Sequence, residues 1–181
     1  MTYETKTISL KNGTNAVIAQ PDPDRAEEML EFLKDISSET EFISRTAEEV
    51  WETVEIERQK LEYLVNAEDM IMLVCMVENR IAGNCHLHFQ SKIKTRHRAT
   101  VGIGIRRAYW NLGIGTVFFE ELIRIARERG SRQLELEVVD GNDRGLALYT
   151  KMGFVITGRR PEAHLMSDGT YRDLILMTKM L

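Results

Sequence analysis

The chain has 181 residues, 43% of them hydrophobic and 29% charged, a balance that fits one globular domain with a core of its own. A net charge of −4 and a pI near 5.7 argue against a general nucleic-acid binder, which is ordinarily basic, and leave room for a cationic substrate. The opening MTYETKTISL lacks the basic-then-apolar order of a secretory signal. The longest apolar run, Met70 to Val77, is far too short for a bilayer-spanning helix, so no membrane role is expected. Cys75 and Cys85 sit in apolar stretches without CxxC spacing and read as buried thiols in the reducing cytoplasm.

TISLKNGTNAVIAQ reads as a hairpin, with two alternating runs around Lys11-Asn12-Gly13. PDPDRAEEMLEFLKDI opens with Pro and Asp and sets Ala26, Met29, Leu30, Leu33 and Ile36 on one helical face. A second helix is expected from Thr46, where Glu49 three residues on completes a capping box, and Val50, Val54, Leu61 and Leu64 form its apolar stripe. MIMLVCMV and IAGNCHLHF make a second hairpin about Glu78-Asn79-Arg80. In IKTRHRATVGIGIR, Val101, Ile103 and Ile105 alternate with Thr100, Gly102 and Gly104. A helix over 114–129 ends at Gly130, RQLELEVV is a strand, and DRGLALYTKM is a short helix closed by Gly153 with Phe154 behind it. FVITGRR and YRDLILMTKM close the chain as a strand pair turning at Ser167-Asp168-Gly169. The order is β-β-α-α-β-β-β-α-β-α-β-β, a mixed α/β sheet with helices on both faces.

Gly113 and Gly115 stand where a strand gives way to a helix. The first N–H groups of a helix have no internal partner and lie at its positive end, which favours phosphate, and glycine lets a bulky anion approach them. A P-loop would need GxxxxGK[ST], and a Rossmann loop needs a third glycine that is missing here. By itself, G-x-G after a strand fits a simple turn as well as a ligand loop.

Its surroundings narrow the choice. VGIGIRRAYWNLGIGTVFFEELIRIARERG followed by LELEVVDGNDRGLALYTKMGFVITG closely resembles the GCN5-related N-acetyltransferase (GNAT) superfamily. Its phosphate loop, Q/R-x-x-G-x-G/A, matches Trp110-Asn111-Leu112-Gly113-Ile114-Gly115, and its later Asn, Leu-Tyr and Gly-Phe match Asn142, Tyr149 and Gly153-Phe154. Trp110 departs from the pattern, standing where Gln or Arg is usual. The resemblance implies acetyl-CoA as cosubstrate and no metal. It implies that the main chain of Asn111, Leu112, Gly113, Gly115 and Thr116 holds the diphosphate. It implies further that the pantetheine arm lies along a strand splayed from its neighbour and bonds to Ile103 and Ile105. Asn142 then bonds the pantetheine or shapes the strand-to-helix turn.

Acetyl transfer to an amine needs a base, because only about one alkyl ammonium in a thousand is a free amine at neutral pH, and help for a departing thiolate whose acid has a pKa near 8.5. By resemblance Tyr149 faces the sulfur as acid. Glu137 is the candidate base, matching a glutamate of the ribosomal-protein N-terminal acetyltransferases. It alternates with apolar Leu136 and Val138, where an inward carboxylate is costly without work or partner; the same pattern also reads as a solvated face shared with Glu135. His97 is a second base candidate or a surface histidine. His86 and His88 share a strand face with too few neighbours for a metal. Arg106-Arg107 could meet the CoA 3′-phosphate, and Arg159-Arg160 the acceptor mouth. Phe32, Phe42 and Trp51 read mostly as core. No cysteine falls in the loop or signature, so the expected reaction is direct acetyl transfer to a primary amine in a ternary complex. A peptide N-terminus, polyamine, amino acid or antibiotic amine all remain open as acceptor, and so does a homodimer. The alternatives are a non-catalytic acyl-CoA-binding module of the same fold and, less favoured by the acidic balance, a nucleic-acid binder.

Overall fold

The computed structural model describes residues 2–181. The elements follow in the expected order: β1 (Lys6–Ser9), β2 (Asn15–Ala19), α1 (Ala26–Glu39), α2 (Val54–Asn66), β3 (Met70–Val77), β4 (Arg80–Phe89), β5 (Arg98–Ile105), α3 (Ile114–Glu128), β6 (Gln133–Val139), α4 (Asp143–Lys151), β7 (Val155–Leu165) and β8 (Tyr171–Met180). They build one eight-stranded sheet in the order β1-β2-β3-β4-β5-β6-β8-β7. Neighbouring strands run antiparallel except β5 and β6, which are parallel.

Local chemistry accounts for the joints. Glu78 and Asn79 both take positive φ, +48° and +63°, the mirror-image turn whose twist suits a two-residue hairpin between β3 and β4. Gly153, at φ +86°, ends α4 while Phe154 N–H reaches back to the Tyr149 carbonyl at 3.0 Å and its ring sinks into the core. On one face of the sheet Met29, Phe32 and Ile36 of α1 and Leu61 and Leu64 of α2 pack on Val74 and Ile81. On the other, Phe118, Phe119 and Leu122 of α3 and Tyr149 of α4 pack on β3 to β6 and β8.

The second helix starts later than its sequence suggests. Glu49 does accept the Thr46 N–H at 2.8 Å, but only a single turn follows. Helix α2 begins at Val54 under Thr53, whose hydroxyl accepts the Ile56 N–H at 3.3 Å. Both stretches carry capping chemistry, and packing decides between them: Val50 is drawn into the core from the turn, while Val54 is left outside. The helix instead buries Glu57, paired with Lys60 Nζ at 3.0 Å.

Gly102 and Gly104 leave one face of β5 bare, and protein fills it. A Cβ at Gly102 would lie 2.1 Å from the His86 ring, and one at Gly104 would lie 2.8 Å from Ile36 Cδ1. His86 is largely buried there, its pKa held below the ordinary imidazole value by that burial and then by His88. Gly102→Ala should therefore cost about 1–3 kcal/mol and lower the melting temperature by about 2–4 °C for each kcal/mol, read by calorimetry.

Candidate active site

The site lies where the sheet comes apart. β5 and β6 pair only through Arg98–Gln133, Ala99–Leu134 and Thr100–Glu135, yet β5 runs on to Ile105 and β6 to Val139. Each keeps its outer neighbour along the way, β4 for β5 and β8 for β6. The two therefore diverge and leave a wedge open toward the C-terminal ends of both.

The alternation of antiparallel bonds says which groups face it. Arg106 N–H donates to the Ala82 carbonyl at 2.9 Å, so the next pair, Ile105 and Gly83, is of the non-bonded kind. Ile105 and Ile103 thus turn their N–H and C=O away from β4, into the wedge. The Ile105 carbonyl is already engaged: Trp110 Nε1 donates to it at 2.7 Å. Three main-chain groups of this pair remain for a ligand, namely both N–H groups and the Ile103 carbonyl.

Trp110 thus does unforeseen work. Besides sealing that carbonyl, its ring carries the Arg107 guanidinium at 5.4 Å and that of Arg144 at 4.2 Å. Arg144 also donates to Asn111 Oδ1 at 3.1 Å. The loop beyond is strained to present its amides: Asn111 has φ +64°, and Gly113, at φ +99°, is the N-cap of α3 with no side chain capping the helix. Helices α2 and α4, by contrast, are capped by Thr53 and Asn142. Lys11 reaches over from the first hairpin, its N–H bonding the Leu112 carbonyl at 3.1 Å, and Lys151 Nζ bonds Thr116 Oγ1 at 3.2 Å. Among the described residues none of Lys11, Arg144 and Lys151 forms an ion pair, and Arg107, whose guanidinium donates to the Glu39 carbonyl, stands beside them, so the uncapped helix start lies among several cations. That donor set suits a polyanion such as a nucleotide diphosphate. The cation at Arg144 gave a sequence signal only in its offset of two from Asn142; nothing local tied it to Trp110.

Gly115 lets α3 meet α4, since a Cβ there would lie 2.7 Å from Leu148 Cδ2. Tyr149, next in line, is wedged edge-on against Phe119 at 5.4 Å and Phe154 at 6.4 Å, and burial pushes its phenol up to about 12. Asn142 caps α4, its Oδ1 accepting the Gly145 N–H at 3.0 Å, which shapes the strand-to-helix turn.

Glu137 is the first carboxylate of β6 beyond the split. Its side chain is 44% exposed and paired in bidentate fashion with Arg160, at 2.9 and 3.2 Å. Burial is thus no argument for it, because the helices of that face cover β3 and β4 and leave the outer part of the sheet open. Glu135 is tied to Arg98 at 2.5 Å and Arg159 to Asp140 at 2.8 Å. His97 precedes β5, about 26 Å from Ile105 along an extended strand. Arg106 turns away from the loop. It is 7% exposed, lies over Phe32 and reaches Asp35 at 3.0 Å, while its Nε and Nη2 are buried without a partner. Only Arg107 of that pair stands by the loop. Both cysteines are buried, and burial raises the Cys75 thiol to about 12 and Cys85 well above the usual range, which makes both poor nucleophiles.

A split parallel pair beside an uncapped helix that opens behind a glycine turn offers free main-chain groups and an anion-accepting helix start side by side. Residues 30–154 match the model of the Acetyltransferase (GNAT) family. The chain belongs to that family. A GNAT acetyltransferase from Streptococcus pneumoniae is 30% identical, with a TM-score of 0.85, over 92% of this chain and 99% of that one. The ribosomal-protein-alanine N-acetyltransferase of Brucella melitensis is 25% identical, with a TM-score of 0.77, over 91% and 99%. A Salmonella typhimurium protein solved with its cofactor acetyl-CoA is 18% identical and shares the fold, with a TM-score of 0.78 over 92% and 94%. No helix among the described residues is long and apolar enough to cross a membrane.

Proposed function

We propose that the chain, as one catalytic domain of the cytoplasm, moves an acetyl group from acetyl-CoA to a primary amine by direct transfer in a ternary complex. The observation that carries this is the wedge between β5 and β6, with free main-chain groups of Ile103 and Ile105 on one wall and the uncapped start of α3 at its mouth. In this reading the N–H groups at Gly113, Gly115 and Thr116 hold the diphosphate, and Arg144, stacked on Trp110, supplies the side-chain donor that the loop's usual Gln or Arg would supply. Bound acetyl-CoA brings the thioester. The Ile105 N–H, aimed into the wedge, polarises its carbonyl. Tyr149 holds a proton for the departing sulfur.

Glu137, through water, takes the proton from the ammonium. Its bidentate pairing with Arg160 fixes the orientation of the carboxylate. Glu137→Gln should lower kcat about 10–100-fold near neutral pH while acetyl-CoA affinity stays put. The deficit should shrink as pH rises and the amine deprotonates by itself. A flat ratio of variant to parent rates from pH 7 to 10 would remove Glu137 from the mechanism.

The test of the whole reading is thiol release. Acetyl-CoA with a panel of amines should liberate free CoA thiol in step with acetylated product. Tight acetyl-CoA binding with no release against peptides, polyamines, amino acids and aminoglycosides would favour the non-catalytic acyl-CoA-binding module.

A further inference from the structure

The connection from α1 to α2 is strung across the mouth of the wedge. At one end Glu39 accepts the Arg107 N–H at 2.6 Å, and its carbonyl accepts from the Arg107 guanidinium, which fixes α1 to the end of β5. Two residues on, His164 Nε2 donates to the Glu41 carbonyl at 2.7 Å and the Glu41 carboxylate accepts the Ser167 N–H at 3.2 Å, which fixes the same segment to the tip of the β7–β8 hairpin. The end of β5 and the hairpin beyond the split are thus bridged by residues 39–41, and the chain runs on from that bridge into the link before α2.

That chain has an unusual surface. Trp51, expected in the core, is 73% exposed, and Ile56 and Tyr63, two helical turns apart on the outer side of α2, are 43% and 60% exposed. In the same stretch, residues 46–63, Glu48, Glu49, Glu55 and Glu62 are exposed, whereas Glu52 is paired with Arg45 and the buried Glu57 with Lys60, so the outward face is acidic. A second apolar pair, Leu165 and Tyr171, stands exposed and directly opposed in register on the hairpin tip that grips Glu41. Exposed Trp and Tyr gain most when covered by a partner, and a partner for an acidic rim carries positive charge.

We infer that the amine acceptor is carried on a basic, partly apolar polypeptide segment, which docks on the acidic aromatic surface of residues 46–63 and feeds its amine past the Glu39–Glu41 bridge. This rests on the acetyltransferase reading above and names its substrate class. A small amine has no means of covering both the Trp51 side and the hairpin tip; an extended chain of a few residues spans such distances at about 3.3 Å per residue.

The probe is a twelve-residue Lys/Arg/Leu peptide with a free N-terminus and a fluorophore at its C-terminus, set against an Asp/Glu/Leu counterpart and spermidine. Anisotropy without acetyl-CoA should show salt-sensitive binding of the basic peptide alone. The triple variant Glu48→Lys, Glu55→Lys, Glu62→Lys, and separately Trp51→Ser, should each weaken that binding about tenfold, leaving acetyl-CoA affinity and the melting temperature unchanged. Equal binding of both peptides, full affinity in the variants, or displacement of the basic peptide by equimolar spermidine would overturn the inference. Thiol release with small amines but no peptide binding would sink this inference alone, whereas peptide binding without any thiol release would sink the enzyme reading and leave the docking surface standing.

Discussion

Tyr149→Phe is expected to lower kcat about 10²–10³-fold while acetyl-CoA binds as before. The substitution removes one oxygen and keeps the ring that packs edge-on with Phe119 and Phe154, so the fold has no reason to change. With a phenol near 12 and a departing thiol near 8.5, complete proton transfer in the ground state is uphill by several units. In the proposed reaction Tyr149 would therefore contribute a hydrogen bond that strengthens as negative charge gathers on sulfur, with the proton following late. A phenol protonated up to about 12 also places no break of its own in the rate profile below about pH 11. From pH 6 to 10 the parent enzyme should only gain rate, as the acceptor ammonium loses its proton. Stopped-time thiol assays across that range measure both quantities. A variant that keeps kcat within threefold of the parent would take the acid role away from Tyr149.

Gly113→Ala should weaken acetyl-CoA binding about 10–100-fold. At φ +99° an L side chain is strained, which costs about 1 kcal/mol or somewhat more and a few degrees in melting temperature. The unliganded protein has space for the carbon, since the nearest atom, Lys11 Cγ, lies 3.7 Å away. What it blocks is the approach to the amides of α3. Gly130→Ala is the matched control: it stands just past the other end of the same helix, at φ +75° with nothing within 4 Å, so it carries the same strain with no ligand nearby. Calorimetric titration should show normal acetyl-CoA affinity in Gly130→Ala and the loss only in Gly113→Ala. Equal affinities in the two variants would dissociate the glycine turn from cofactor binding.

The residues that could be read ahead of any coordinates are those whose signal is local. The Asn-Gly hairpin, the turn at Glu78-Asn79, the glycine stops at Gly130 and Gly153 and the loop from Trp110 to Gly115 are all set by neighbours a few positions apart, and all stand where their chemistry puts them. The second helix misled because two capping sites, Thr46 and Thr53, compete within eight residues, and only the burial of Val50 separates them. Trp51 misled for the same reason: helical spacing implies a core position only inside a helix, and it lies before one.

What the sequence by itself determined is the order of elements, the sheet's mixed character and the place of the glycine turn that opens α3, since periodicity, caps and positive-φ glycines are written in adjacent residues. Only the tertiary structure decided that β5 and β6 part after Thr100, that Trp110 closes the Ile105 carbonyl and holds Arg144, that Arg106 turns inward, and that Glu137 is exposed on Arg160. Each of these depends on groups brought together from separate elements. Their positions follow from how helices and strands pack across the sheet, a nonlocal free-energy balance that a local stretch of chain does not carry.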